Sequence, residues 1–231
     1  MPLTMNVFSR AIRALRNEAW KVFQNLREVF CRNQLDSMLD DRPGMAALLE
    51  GQSALREWFR SQFAGEITGF RITWDPREPE FGPVAEHMDP QRGKPAYIRV
   101  SRRLSAINQL SVVVFELHNI RFFQERRQLW KKACRGRVSR EEFNSKSIWL
   151  EYQALIESSK FLKQHSSVFD SAGHDDFVYW RHISCPSLSE WTRGFQRRNG
   201  NSYYENVFDL KVKPHLEKRA CRKWRIKRYL G

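Results

Sequence analysis

The most apolar stretch of this chain carries a carboxylate. Val112-Val113-Val114-Phe115-Glu116-Leu117-His118-Asn119 lies inside a helical pattern that begins at Leu104 and continues to about Cys134. A helix that is apolar on every side belongs at the centre of a domain. An ionised group placed there is strongly unfavourable unless it is paired or bound to a metal. Glu116 is therefore either a constrained structural residue or a functional one. The structural reading pairs it with an arginine such as Arg71 or Arg99. About thirty helical residues span roughly 45 Å. The second half of this helix is basic, with Arg121, Arg126, Arg127, Lys131 and Lys132, and is expected to reach into solvent.

The flanking sequence supplies a small sheet and more helices. Gly69–Asp75 alternates Phe70, Ile72 and Trp74 with Arg71 and Thr73, the pattern of a half-buried strand, and Ala96–Val100 reads as the next strand. The proline-rich residues 76–95 between them suggest a loop or irregular hairpin. Residues 45–64 form a helical pattern that Gly65 ends, after a turn at Arg42-Pro43-Gly44. Ser105 or Ser101 caps the central helix. Ser139-Arg140-Glu141-Glu142 has capping-box spacing and opens a further helix, with Phe143, Ser147, Leu150 or Glu151, Ala154, Ser158 and Phe161 on one face. The connection before it is short, so it should pack antiparallel to its predecessor and carry Glu151 towards Glu116. Residues 6–33 read as an amphipathic helix, Ser166–His174 as a polar loop, Ser187–Phe195 as a short helix and 214–230 as a terminal helix. The expected class is α+β: helix-rich, with a small antiparallel or mixed sheet packed on the long central helix. The expected division is an N-terminal helix and linker over 1–44, a core over 45–165 and a basic, aromatic-rich C-terminal extension over 166–231.

Charge and cysteine usage narrow the setting. Forty Lys and Arg against twenty-six Asp and Glu give a net charge of +14, a field that attracts nucleic acid or another polyanion, or an acidic protein partner. The charge is dense at the C-terminus. Lys211–Arg228 holds one acidic residue, Glu217, and there Arg222, Lys223, Arg225, Lys227 and Arg228 surround Trp224. Aromatics among cations suit base stacking with phosphate contact, and they equally suit a helix that buries Trp224. Cys31, Cys134, Cys185 and Cys221 are widely spaced, which argues against a zinc ribbon or disulfide framework and for a reducing, cytoplasmic setting. Neither a membrane-spanning run nor a secretory signal is expected. Other groupings of polar residues read first as solvated loops: His87 with Glu86 and Asp89, and His174-Asp175-Asp176. A pairing of His182 with Cys185 has no supporting spacing.

Strand, strand and long helix, with Phe115-Glu116-Leu117-His118-Asn119 on that helix, resembles the core of zincin-type metallopeptidases over roughly residues 55–165. In that family the central helix carries H-E-x-x-H, two histidines bind zinc and the glutamate activates water. Glu116 matches the motif's glutamate. Phe115 and Asn119 stand at the histidine positions, and His118 is one position off, about 100° around the helix. In one branch of the family a glutamate from a later helix completes the zinc site, and Glu151 stands in a comparable position. The resemblance implies a zincin-like scaffold without the zinc ligands, lacking conventional zinc peptidase activity and acting as a binding or effector module. Glu116 is its candidate catalytic residue, and His118, Asn119 and Glu151 form a possible polar site. No metal or cofactor is expected, although Glu116 and Glu151 together would suit a hard divalent cation better than zinc. Two alternatives stand beside this reading: a basic nucleic-acid-binding protein, and a hydrolase with a displaced metal site around Glu116, His118 and Glu151.

Overall fold

The computed structural model describes residues 16, 18–19, 21–22, 34–80, 84–90, 94–169, 186–200 and 203–220. Most of the expected N-terminal helix lies outside this set. So do the basic residues Arg222, Lys223, Trp224, Arg225, Lys227 and Arg228, the His174 cluster, and His182 with Cys185.

The fold is helix-rich α+β around one small mixed sheet. The helical run 34–41 (α1) buries Leu35, Met38 and Leu39. Arg42-Pro43-Gly44 is not a free turn. Pro43 opens helix α2 (Pro43–Leu48), where its missing N–H is no loss. A Cβ on Gly44 would meet the Ala106 Cβ at 2.9 Å, so this glycine lets α2 pack against the central helix. The expected helix over 45–64 is two helices, because Gly51 takes a positive φ of 71° between α2 and α3 (Ser53–Ala64). Gly65 ends α3 as expected, with φ 75°.

Strands β1 (Ile72–Trp74), β2 (Ala85–Met88) and β3 (Ala96–Val100) follow. β3 is central. It runs parallel to β1, with Thr73 opposite Tyr97, and antiparallel to β2, with Glu86 opposite Arg99 and His87 opposite Ile98. The irregular region 76–95 thus contributes an edge strand. Alternation along β2 and β3 puts His87 and Ile98 on one face and Glu86 and Arg99 on the other. Arg99 does not pair with Glu116. Its buried guanidinium bonds Asp75 at 2.8 Å, Glu80 at 2.6 Å and Glu86 at 2.7 Å, holding both ends of the sheet region together.

Helix α4 (Ala106–Arg121) begins at Ser105, whose side chain accepts from the Asn108 N–H. Every residue from Ile107 to Ile120 is buried, and α4 packs against β2, β3, α2 and helix α6 (Arg140–Gln164). Its principal core joins Leu110, Val113, Val114, Leu117 and Ile120 to Phe59, Phe63, Ile72 and Ile98. The expected continuous helix to Cys134 is broken at Phe122, and a separate helix α5 (Phe123–Cys134) follows. The Phe122 N–H turns back to the Asn119 carbonyl at 3.0 Å. Arg126 Nη1 donates to the same oxygen at 2.6 Å. A side chain inserted into the helical ladder is a recognised cause of such a break.

Gly136, with φ 68°, ends α5 as expected. Its N–H bonds the Ala133 carbonyl and the Arg137 N–H bonds that of Lys132, the pattern of a Schellman motif. Ser139 caps α6, accepting from the Glu142 N–H, and α6 runs back along α5 and α4 as expected. The supposed loop after His165 starts as a short helix, α7 (Ser166–Phe169), because Val168 joins the core. Helix α8 (Leu188–Asn199) carries a complete Ser187–Glu190 capping box. Helix α9 (Tyr203–Val207) runs through a π-helical turn, Phe208–Val212, into helical residues up to 220. Two smaller clusters join these elements to α4, α5 and α6. No helix among the described residues is long and apolar enough to cross a membrane.

Removing Arg99 takes the guanidinium from two mostly buried carboxylates, leaving Asp75 to Arg77 and Glu86 to the Glu80 N–H. Arg99→Ala should therefore lower unfolding free energy by about 3–5 kcal/mol in urea titrations. A loss below ~1 kcal/mol would mean that the cluster does not organise the sheet.

Candidate functional site

The partner that Glu116 requires is His87. β2 lies at the sheet edge, and its inward-facing imidazole meets the centre of α4. His87 Nδ1 lies 2.5 Å from Glu116 Oε2. Both side chains are largely buried. Burial pushes the imidazolium's pKa down, but the Glu116 charge and hydrogen bond outweigh it, and the His87 pKa is raised. The other ring nitrogen lies 3.2 Å from Arg126 Nη2 and 3.7 Å from Asp89 Oδ1, and Arg126 is itself ion-paired with Asp89. Arg126 thus ties the end of β2 to the break in the central helix.

A second carboxylate faces the same cleft. Asn119, one turn beyond Glu116 on its face, donates Nδ2–H to Glu151 Oε2 at 2.8 Å. Tyr204 donates its hydroxyl to Glu151 Oε1 at 2.8 Å. Burial and the Glu151 charge push the Tyr204 phenol well above its usual range, so it stays a donor. Its ring stacks on Phe195, with centroids 5.5 Å apart and planes 5° apart. The cleft has a volume of about 520 Å³; Glu116, Asn119 and Glu151 line it with His87 of β2, Tyr203 and Lys211. Among the described residues, Glu116 Oε1 has no hydrogen-bond partner, and the buried Asn119 Oδ1 has none either.

The remaining motif positions point elsewhere. Phe115 packs with Ile148, Leu155, Trp191 and Phe195 in the cluster that joins α4 to α6 and α8. His118 lies outside the cleft, near the rings of Trp58 and Phe161, at 5.8 and 6.2 Å. Its Nδ1 accepts from Arg121 at 3.1 Å, and burial, with Arg121 second, pushes its pKa down to about 4. A site joining Glu116, His118 and Glu151 is therefore not assembled: one position along a helix turns a side chain by about 100°. Among the described residues no three His, Cys, Asp or Glu side chains could together hold a metal ion. The two cleft carboxylates also suit a cation poorly, because the Asn119 N–H, the Tyr204 O–H and the His87 ring nitrogen already occupy three of their four oxygens.

Periodicity in α4 and the antiparallel expectation for α6 lead to Glu116, Asn119 and Glu151. They do not lead to Arg126, Tyr204 or Lys211, and His87 reads in sequence as part of a loop. Ala85-Glu86-His87-Met88 between two prolines is its one local signal. Compared with protein-family models, curated proteins and solved structures, the chain finds no match.

Glu116→Ala should cost about 1–3 kcal/mol by leaving His87 Nδ1 without a partner in a buried site, and Glu116→Gln less. Because the folded His87 pKa is raised, the pair's contribution is fully present below the unfolded value of about 6.5. It is lost as pH rises through the folded value. Urea titrations across this range should show that loss in the unsubstituted protein and not in Glu116→Gln. A neutral Glu116→Ala, or identical pH profiles, would contradict the pairing.

Proposed function

We propose that this chain is a non-peptidase binding module on a zincin-like scaffold, with its ligand seated in the cleft between β2, α4, α6 and α9. The observation that carries this reading is the Asn119–Glu151 hydrogen bond. Asn119 stands where the motif's second histidine would be, and its amide takes up the later helix's glutamate. Phe115, at the first histidine position, is part of an apolar cluster. Both changes replace metal chemistry with self-contained packing and hydrogen bonding. The order α3, β1, β2, β3, α4, α6, with both glutamates on one cleft, supports the scaffold resemblance.

The cleft's chemistry suggests its ligand class. One acceptor, Glu116 Oε1, remains without a protein donor among the described residues, beside aromatic walls at Tyr203 and Tyr204. A ligand that presents amine or amide N–H donors and a flat or apolar surface suits both features. We further propose a reducing, cytoplasmic setting from the scattered cysteines. Cys134, partly buried, is a free thiol whose pKa burial raises, as suits an unreactive packing residue.

The scaffold reading has a direct test. Purified protein should carry well below one equivalent of zinc by elemental analysis. The double variant Phe115→His, Asn119→His restores histidines one helical turn apart, with Glu151 released by the loss of Asn119. It should take up about one equivalent and gain thermal stability on zinc addition. Tight stoichiometric zinc in the unsubstituted protein would overturn the binding-module reading. A folded double variant that ignores zinc would overturn the scaffold reading.

A further inference from the structure

A second surface lies away from the cleft. Helix α5 ends with Lys131 and Lys132, and its Schellman turn adds Arg135 and Arg137, with no carboxylate between them. Helical residues 213–220 pack beside this end. Phe208 and Val212 bury against Leu129, Ala133, Val138 and Phe143, and Leu216 packs on the same cluster. Arg219 Nη1 donates to the Arg135 carbonyl at 2.8 Å, and His215 sits edge-on to Trp130, centroids 6.4 Å apart. The Arg219 contact sets the exposed cations of 213–220, Lys213, Lys218 and Arg219, beside those at the end of α5.

All seven of these side chains are exposed, and none forms an ion pair among the described residues. Glu142 and Asp209, which feel Lys132 and Lys213, are held by Lys146 and Arg140. Glu217 is the single carboxylate in 211–220. Cations held unpaired on two helices locked by an apolar cluster form a fixed array rather than a diffuse charge. We infer that this face, built from the end of α5 and residues 213–220, binds the phosphate backbone of a nucleic acid. Three of the seven groups are guanidinium forks, which match phosphate oxygens in pairs. Adsorption to a membrane surface calls for apolar side chains beside the cations, and Leu210 is the single exposed large apolar side chain within 208–220.

The experiment uses the full chain with a fluorescent 30-base-pair DNA duplex of mixed sequence, followed by anisotropy across a salt series. One variant replaces Lys131, Lys132, Arg137 and Lys218 with Gln, leaving the Arg219 contact intact. A charge-matched variant replaces Lys94, Arg103, Lys160 and Lys163, which lie on other elements. Each phosphate contact contributes about 0.9 to the log–log salt slope. The face variant should lose about 2–4 units of slope and more than tenfold affinity near 0.15 M salt. The charge-matched variant should lose much less. Thermal melting of both variants checks that they fold. Equal losses in the two variants would overturn the proposal, since net charge rather than this face would then govern binding. Absence of duplex binding would overturn it too, as would stronger binding to anionic phospholipid vesicles or to polyglutamate.

Discussion

The contact between His87 and Glu116 is the interaction on which the architecture turns. Helix α4 is buried along nearly its whole length, so the carboxylate at its centre meets water only through the cleft and is largely desolvated. A donor must come from another element, and the edge strand β2 brings it. This requirement fixes which face of β2 looks inward. Glu86 is then left on the opposite face, where Arg99 takes it together with Asp75 and Glu80. On the far side of the imidazole, Arg126 and Asp89 close the arrangement, and Arg126 also caps the Asn119 carbonyl where the helix breaks. One buried charge thus links strand orientation, sheet electrostatics and the end of the central helix.

The same linkage shapes the cleft. The break at Phe122 lets α5 depart from the line of α4, while α6 continues past both. Asn119 lies just before the break and reaches Glu151 on α6, and Tyr204 reaches the other oxygen from α9. The π-helical turn after α9 keeps Phe208 and Val212 in an apolar cluster while Lys211 lines the cleft. Beyond it, Lys213 belongs to the basic face. Cleft and basic surface therefore draw on neighbouring residues of one short segment.

Much of this was legible in the amino-acid sequence because it is local. The helical repeat marks α4 and α6, Ser105 and Ser139 stand at their caps, and Gly65 and Gly136 stop α3 and α5. Glu116 was conspicuous as a charge amid valines, and antiparallel packing was enough to expect Glu151 nearby. The unread parts are long-range or lack punctuation. His87 sits in a short strand hidden among prolines, and its partner lies 29 residues away. The break at Phe122 involves neither Gly nor Pro; it depends on a guanidinium competing for a carbonyl. Tyr204 and Lys211 follow a polar stretch whose texture does not announce packing. His118 shows the converse: adjacency to Glu116 in sequence suggested a shared site, and the helical rotation places it among Trp58 and Phe161 instead.

Glu116 and His87 stabilise each other directly across the boundary between β2 and α4. A double-mutant cycle with Glu116→Ala, His87→Ala and the combined variant measures this by urea unfolding at pH 6. Non-additivity of about 1–3 kcal/mol is expected, with the double variant less destabilised than the sum of the single ones. Additivity within about 0.5 kcal/mol would contradict it, because the two side chains would then act independently.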